Sequence, residues 1–336
     1  MSLRSGRSAT PRWPAAQLFL SAEELAALAE RCRDGFVAGC RELAIDEDLT
    51  ALLTSLYLPL AAWLMRRRAS ESAALVVGVS GAQGAGKSTL SSLLAMVLRA
   101  AFGARVATLS IDDIYETRAR RAELARTVHP LFATRGVPGT HEVSLGLDVI
   151  RRLRRQGPGE STALPVFDKS VDDRVDRSRW PRVSGAVDVV LFEGWCVGAV
   201  PEDEAALERP INALERDEDP DGRWRRTVNR HLAGDYRELF AQLDVLIMLR
   251  VEGMERVFEW RRLQEHKLAA RAAAAGTDVA GARIMSDAEV ERFIMHYERI
   301  TRHILAEMPA RADIVLEVDD SHSAASVRIN VPIDAL

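Results

Sequence analysis

One eight-residue string constrains the fold of this chain more than any other feature. It reads Gly81-Ala82-Gln83-Gly84-Ala85-Gly86-Lys87-Ser88, follows a short apolar run, and leads into a helical pattern. Glycines at this spacing let the backbone wrap around an anion, so that amide groups and the positive end of the helix point at it. The string matches the phosphate-binding loop, or P-loop, and predicts a nucleotide site between a strand and a helix.

Each residue of the P-loop has an expected ligand role. The predicted phosphate ligands are Gly81, Ala82, Gln83, Gly84, Ala85, Gly86, Lys87, Ser88 and Thr89. Lys87 would reach the β and γ phosphates, and the Ser88 hydroxyl would bind Mg²⁺. The alternative interpretation is a glycine-rich strand-to-helix turn that holds no ligand.

Short apolar runs rich in β-branched residues recur beyond residue 70. They are Leu75–Val79, Val106–Ile111, Val187–Phe192, Val245–Leu249 and Ile314–Val318. Such runs fit strands buried on both faces, and helical patterns lie between them. Strands alternating with helices favour a parallel sheet with right-handed crossovers. The predicted fold class is therefore α/β, a P-loop NTPase fold with a doubly wound parallel sheet of at least five strands and helices on both faces.

Three parts are expected along the chain. Residues 1–17 are polar and aperiodic, which predicts a disordered tail. Residues 18–70 predict an N-terminal helical extension, in which Ser21 and Glu24 form a capping-box pattern. Residues 71–336 form the main domain.

Three local features refine this division. An apolar stripe at helical spacing runs from Leu52 to Leu64, and Pro59 is expected to kink that helix. The charged stretch Glu202–Arg226 and the alanine-rich stretch Ala269–Arg283 are interpreted as insertions at the surface.

Charge and composition argue against several classes of partner. With 45 basic and 49 acidic residues, the net charge of -4 gives no global positive field for a nucleic acid or an anionic membrane. No apolar run approaches the roughly 18 residues that span a bilayer. The three cysteines, Cys32, Cys40 and Cys196, lack metal-ligand spacing, which favours a reducing compartment. We expect a cytoplasmic protein; its oligomeric state stays open.

Carboxylates follow two of the predicted strands. Asp112 and Asp113 end the second strand, and Glu193 ends the third. The carboxyl ends of strands share the ligand crevice in a doubly wound sheet, so all three should lie near the P-loop. Asp112 is the candidate general base, with Asp113 as the alternative, and one of the pair is also suited to cap the next helix. Glu193 is the second candidate ligand for Mg²⁺, and its alternative is a solvated loop residue.

The region after the fourth strand bears on the choice of nucleotide. The Asn-Lys-x-Asp pattern of guanine-specific GTPases is missing there, since the strand leads into Leu249–Gly253. An arginine-rich helix follows instead, which resembles the lid of small-molecule kinases and predicts a lid near residues 253–283 that would neutralise the transferring phosphoryl group. Its cations are Arg256, Arg261, Arg262 and Lys267, with Arg261 as the candidate catalytic arginine beside Lys87 and Asp112. The alternative is a solvated face paired with neighbouring glutamates.

Several separated blocks together resemble the D-glycerate 3-kinase family, a branch of the phosphoribulokinase, uridine kinase and pantothenate kinase group. They are Ser80–Thr89, Asp112–Tyr115, Arg135–Gly136, Gly139–Glu142, Pro165–Ser170, Asp176–Arg177, Trp180–Pro181, Phe192–Trp195, Val228–Asn229, Trp260–Arg261, Gln264–Glu265 and Met285–Asp287. The resemblance covers roughly residues 50 to 318. Ile114 and Val175 depart from the family, which carries Phe and Gly there.

The resemblance implies an enzyme, a phosphotransferase with an alcohol group as acceptor. It would use ATP and Mg²⁺ to phosphorylate D-glycerate to 3-phosphoglycerate. Alternatives are a P-loop kinase of the uridine, pantothenate or phosphoribulose type, or a nucleotide-dependent switch or assembly factor that uses the N-terminal helical segment as its partner surface.

A glycerate pocket needs a cation for the carboxylate and polar groups for the hydroxyls. The candidate substrate-binding residues are Arg135, His141, Lys169 and Arg177. Lys169 and Arg177 are equal candidates for the carboxylate, and His141 could instead serve only to hold its loop.

Overall fold

A central sheet of six strands organises the protein. The computed structural model describes residues 11–45, 47–274, 285–319 and 324–333. The strands in these ranges are β1 (Leu75–Gly81), β2 (Val106–Ser110), β3 (Ser161–Ala163), β4 (Phe167–Asp168), β5 (Asp173–Arg174), β6 (Arg182–Ser184), β7 (Val189–Gly194), β8 (Val245–Arg250), β9 (Ile314–Val318) and β10 (Ala324–Ile329). The large sheet has the order β10-β9-β8-β1-β7-β2, and its pairs are parallel except β9 with β10. The predicted fold class is confirmed, with β10 as an unpredicted sixth strand.

Helices cover both faces of this sheet. They are α1 (Ala22–Glu42), α2 (Thr50–Leu52), α3 (Leu58–Ala69), α4 (Lys87–Phe102), α5 (Arg118–Thr127), α6 (Val143–Arg155), α7 (Ala213–Glu218), α8 (Arg223–Ala233), α9 (Asp235–Phe240), α10 (Met254–Ala274) and α11 (Asp287–Glu307). Val77 and Val79 pack with the N-terminal helices and α4, while Val76 packs with α6, α8 and α9 on the other face. Two apolar layers therefore enclose the strands. None of the described helices is long and apolar enough to cross a membrane.

Strand register brings the predicted site residues to one edge. Ser80 of β1 pairs with Gly194 of β7, and Ser110 of β2 pairs with Glu193. All three strands run in the same direction, so their carboxyl ends lie side by side. The P-loop, the Asp112 turn and Glu193 follow from those ends.

The N-terminal helices share the core of the main domain. Trp63 of α3 is fully buried, and its indole N–H donates to Gln17 Oε1 at 2.8 Å. Gln17 in turn donates to the carbonyl of Val331 at 2.9 Å, and Trp13 is buried nearby. Of the tail predicted over residues 1–17, residues 1–10 lie outside the described ranges, and Trp13 and Gln17 contact this core. The predicted domain division as a whole stays a prediction.

Pro59 lies within an unbroken helical segment that runs from Thr50 to Ala69, and a π turn over Leu53–Tyr57 directly precedes α3. Proline has no N–H to donate to the preceding turn, and a π turn is one of the usual sites of a helix bend, so the kink expected at Pro59 stays a prediction. The capping box of Ser21 and Glu24 is confirmed at the start of α1.

The surface prediction for Glu202–Arg226 is wrong for its central part. Glu215 and Asp219 are fully buried, because Arg299 donates to Glu215 at 2.7 Å and Arg225 donates to Asp219 at 2.9 Å. Pairing lets these charges leave water, which charge density alone does not reveal. The surface prediction for Ala269–Arg283 falls mostly outside the described residues.

We predict that Trp63→Ala destabilises the whole protein by about 3–5 kcal/mol, because it empties a site shared by the N-terminal helices and the sheet. Urea unfolding followed by circular dichroism should show one transition at a lower midpoint. Arg33→Ala, which removes a side chain 56% exposed, is the control and should change stability by less than about 0.5 kcal/mol. An unchanged midpoint for Trp63→Ala would show that packing of the N-terminal helices does not contribute to the stability of the core.

Candidate active site

The P-loop is shaped to surround an anion. Gly84 and Gly86 adopt φ of +82° and +89°, which favours glycine, and α4 begins at Lys87 directly after them. The amides of the loop and the first turn of α4 therefore form a concave, positively polarised surface. Lys87 Nζ donates to the Ala82 carbonyl at 2.9 Å. Burial lowers the pKa of Lys87, whereas the carboxylates of Glu193 and Asp112 act to raise it.

A helix from outside the loop packs onto it. A Cβ atom placed on Gly84 would lie 3.1 Å from Cβ of Trp260, so the indole of α10 sits directly over the loop. A larger residue at position 84 would push Trp260 away by a few tenths of an ångström and would be strained at φ +82°.

Ser88 and Glu193 form the second part of the site. The Ser88 hydroxyl donates to Glu193 Oε1 at 3.0 Å, which joins the start of α4 to the end of β7. A hydroxyl and a carboxylate are hard oxygen ligands of the kind that Mg²⁺ prefers, and Mg²⁺ commonly keeps few protein ligands beside water and phosphate. The two residues fit their predicted metal role, which stays a prediction.

Asp112 lies in a 3-10 turn, Ile111–Ile114, that follows β2. Its Oδ1 accepts from the Tyr115 hydroxyl at 2.7 Å, and its Oδ2 accepts from Lys169 Nζ at 2.6 Å. Burial on its own raises the pKa of Asp112, but the ammonium of Lys169 and the two hydrogen bonds outweigh it and the pKa is lowered. Asp112 is therefore held ionised.

Asp113 has the opposite electrostatic setting. Burial raises its pKa to about 6, although the amide of Phe167 donates to it at 3.3 Å. Within the described part of the chain no lysine forms an ion pair with Asp113, and the charge of Lys169 lowers its pKa only from a distance. The pKa values of the two adjacent carboxyls therefore shift in opposite directions, and among the described residues Lys169 forms its ion pair with Asp112.

A hydrogen-bond chain fixes the state of His141. The amide of Gly139 donates to the Tyr236 hydroxyl at 3.1 Å, and that hydroxyl contacts His141 Nδ1. The Tyr236 hydroxyl accepts from Gly139, and a neutral His141 with its proton on Nε2 lets that hydroxyl donate to Nδ1. Burial lowers the pKa of His141 to about 3, so the ring is neutral. Its buried Nε2 has no hydrogen-bond partner among the described residues.

Lys169 lies at the tip of a short hairpin made by β4 and β5. The tip is anchored by Asp172, which accepts from buried Arg121 at 2.9 Å and also pairs with Arg135. The guanidinium of Arg135 lies over the ring of Phe167, with 5.6 Å from Cζ to the ring centroid. Arg135 therefore supports the hairpin, and its predicted contact with substrate stays untested.

The two remaining predicted residues lie in different surroundings. Arg177 is exposed and stacks on Trp180, 5.6 Å from Cζ to the ring centroid. Arg261 pairs with Glu265 at 2.5 Å and lies over the ring of Phe293. Of the four predicted substrate residues, the structure brings His141 and Lys169 to Asp112.

Sequence reasoning assigned no role to three tyrosines of the site, Tyr115, Tyr236 and Tyr297. Tyr115 follows Asp112 by three residues, and a 3-10 turn places such residues on one side, so this contact had a local signal. Tyr297 of α11 donates to the Arg135 carbonyl at 2.8 Å and packs edge-on against Trp195. It belongs to an ordinary apolar helix face, and nothing in its spacing marks it.

Comparisons with known proteins point to one group of enzymes. The chain is 35% identical over 248 residues to Uncharacterized kinase mug58 of Schizosaccharomyces pombe, which covers 70% of this chain and 82% of that protein. It is 29% identical over 265 residues to the chloroplastic D-glycerate 3-kinase of Arabidopsis thaliana, covering 74% of this chain and 53% of that protein. The chain therefore spans about half the length of the plant relative.

A solved structure agrees with this group, and one family model matches the region of the P-loop. The structure of D-glycerate 3-kinase from Cryptococcus neoformans matches with a TM-score of 0.64 at 25% identity, covering 81% of this chain and 96% of that chain. The family model described as Methylmalonyl Co-A mutase-associated GTPase MeaB matches residues 58–118, a segment that contains the P-loop.

The two aspartates should change stability in opposite directions when they are neutralised. Asp113 has a raised pKa, so its protonated form stabilises the fold and that contribution is lost as pH rises through about 6. Asp112 has a lowered pKa, so its contribution is present above the ordinary carboxyl range and is lost on acidification. At pH 7.5 we expect Asp113→Asn to raise the Tm and Asp112→Asn to lower it, each by about 2 °C.

Differential scanning fluorimetry from pH 7.5 to pH 4 measures both effects. The difference for Asp113→Asn should shrink toward pH 4, where Asp113 is protonated in the fold. The difference for Asp112→Asn should largely persist at pH 4, because the pKa of Asp112 is lowered below the ordinary carboxyl value. Shifts of the same sign for the two variants would contradict the described environments.

Proposed function

Because this chain belongs to the family of P-loop kinases that includes the D-glycerate 3-kinases, we propose that it transfers the γ-phosphate of ATP to D-glycerate and forms 3-phosphoglycerate. Its class of activity is phosphotransfer to an alcohol group. The choice of D-glycerate as acceptor rests on one observation above all. The ionised carboxylate of Asp112, at the carboxyl end of the strands and beside the P-loop, is hydrogen-bonded to the exposed side chain of Lys169. Asp112 could accept the proton of the acceptor hydroxyl, and the adjacent Lys169 could bind the acceptor carboxylate.

The residues of the P-loop side have distinct proposed roles. The loop amides and Lys87 bind the phosphates, and Ser88 and Glu193 hold Mg²⁺. When bound, Mg-ATP supplies the phosphoryl group and neutralises charge that develops during transfer. Arg261 is proposed to approach the phosphates from α10, since Trp260 beside it already packs on the loop.

The acceptor side is built around Asp112. Asp112 accepts or orients the proton of the attacking hydroxyl, and the neutral Nε2–H of His141 is a donor for an acceptor oxygen. The contact of Lys169 with Asp112 favours Lys169 over Arg177 for the substrate carboxylate. Arg135 acts through the hairpin that carries Lys169. A cytoplasmic location, as expected from the sequence, stays a prediction.

We predict turnover with D-glycerate in a coupled ADP-release assay, and little with uridine, pantothenate or ribulose 5-phosphate. The exposed ammonium of Lys169 beside the candidate base suits a monoanionic hydroxy acid. Phosphorus NMR of the product should show 3-phosphoglycerate. Turnover with another acceptor and none with glycerate would show that the substrate is that other acceptor. ATP hydrolysis that no acceptor stimulates would favour a nucleotide-dependent switch protein over a kinase.

We predict that Asp112→Asn lowers kcat by about 10² to 10⁴-fold, the usual worth of a positioned base, and leaves ATP affinity unchanged. Lys87→Ala should weaken both ATP binding and turnover, because its ammonium serves the phosphates. Isothermal titration with a non-hydrolysable ATP analogue separates the two effects.

Asp113→Asn is the matched control and should retain turnover. If Asp113 were the base, kcat/KM would carry an acid limb near pH 6 that this variant removes. The nucleotide phosphate also titrates near pH 6, so a limb that persists in the variant belongs to the nucleotide. Near-normal turnover in Asp112→Asn would remove Asp112 from the base role.

A further inference from the structure

Both oxygens of Asp112 are already hydrogen-bonded. Oδ1 accepts from Tyr115 at 2.7 Å and Oδ2 accepts from the ammonium of Lys169 at 2.6 Å. Charge-assisted bonds of this kind hold a carboxylate strongly in its ionised form. They also make it a poor proton acceptor, because the effectiveness of a base rises with its pKa.

The two partners of Asp112 differ in freedom. Tyr115 is buried and its ring stacks on His141, with 4.6 Å between ring centroids. Lys169 has a side chain that is 59% exposed, on a long and flexible stem. Of the two, only Lys169 can leave Asp112 without repacking the protein interior.

The hairpin beneath Lys169 is fixed. Asp172 at the tip is held by Arg121, whose side chain is 2% exposed, and Arg121 also donates to the carbonyls of Glu116 and Ala133. The backbone of the tip therefore stays in place while the ammonium of Lys169 can swing. A second anion arriving near Asp112 would compete for that ammonium.

We propose that Lys169 couples acceptor recognition to base activation: an acceptor with a carboxylate close to its hydroxyl draws Lys169 from Asp112 and so releases Asp112 to act. This inference rests on the proposed kinase function and deepens it. It names the acceptor class as small hydroxy acids and disfavours neutral polyols and nucleosides, which leave Lys169 on the base.

Phosphoryl transfer in this scheme forms one bond to phosphorus and breaks another. The hydroxyl oxygen of the acceptor bonds to the γ-phosphorus, and the bond from that phosphorus to the bridging oxygen of ADP breaks with its electron pair on ADP. The hydroxyl proton passes to Asp112. The carboxylate of the acceptor keeps its charge and takes the hydrogen bond of Lys169.

Other titratable groups around Asp112 remain in place. They are Lys87 of α4, Asp113 and Tyr115 in and after the Asp112 turn, His141 before α6, Cys196 after β7, and Tyr297 of α11. Burial keeps His141 neutral and the Cys196 and Tyr297 groups protonated, so they do not substitute for Lys169.

The test compares Lys169→Met, which keeps the stem and removes the charge, with the unaltered enzyme on D-glycerate and on neutral glycerol. With glycerate, kcat/KM should fall at least a hundredfold. With glycerol it should rise several-fold, because Asp112 is free of the ammonium at all times. The acid limb of kcat/KM should also move to higher pH. Lys169→Arg, which keeps a cation, should restore part of the glycerate activity.

Arg179→Met is the matched control, since it removes an exposed cation of the same region, and should change none of these values. A fall with glycerate accompanied by unchanged glycerol turnover and an unmoved acid limb would overturn the proposal and leave Lys169 as a carboxylate ligand only.

A second measurement does not depend on turnover. Carbon NMR titration of the Asp112 carboxyl should show its pKa rising when D-glycerate is added to the unaltered enzyme, and already raised without glycerate in Lys169→Met. Absence of both shifts overturns the coupling. If both shifts appear but glycerate is not phosphorylated, the coupling stands and the proposed reaction fails.

Discussion

Parallel pairing of β1, β7 and β2 is the constraint on which the site depends. The register of these strands alone places the P-loop, Glu193 and the Asp112 turn side by side. Gly194 completes the arrangement, because a side chain there would overlap Ile111 at the start of the turn. The turn can therefore lie against the end of β7, which keeps Asp112 close to the loop.

The same region shows how neighbouring carboxyls acquire different properties. Asp112 and Asp113 share a turn and a buried setting, and burial acts on both in the same direction. The difference comes from a hairpin about 55 residues further along the chain, which delivers Lys169 to one of them and a backbone amide to the other. The different pKa values of these two carboxyls are therefore set by contacts with a segment distant in sequence.

This division also explains what could be predicted from sequence. The P-loop, the five strands and the capping of α1 follow from local patterns, and each appears in the structure. Asp112, Ser88 and Glu193 could be brought together because strand ends converge in this fold. Contacts such as Asp172 with Arg121, or Tyr297 with Arg135, depend on where loops pack and leave no periodic trace. Glu202–Arg226 was misjudged for the same reason, since its charges are buried by partners distant in sequence.

The indole of Trp260 against Gly84 has a practical consequence. An aromatic ring that rests on the phosphate loop senses any change in the polarity or position of that loop. Its emission should thus respond to nucleotide uptake, and replacing Trp260 with Phe identifies that response among the six tryptophans of the chain.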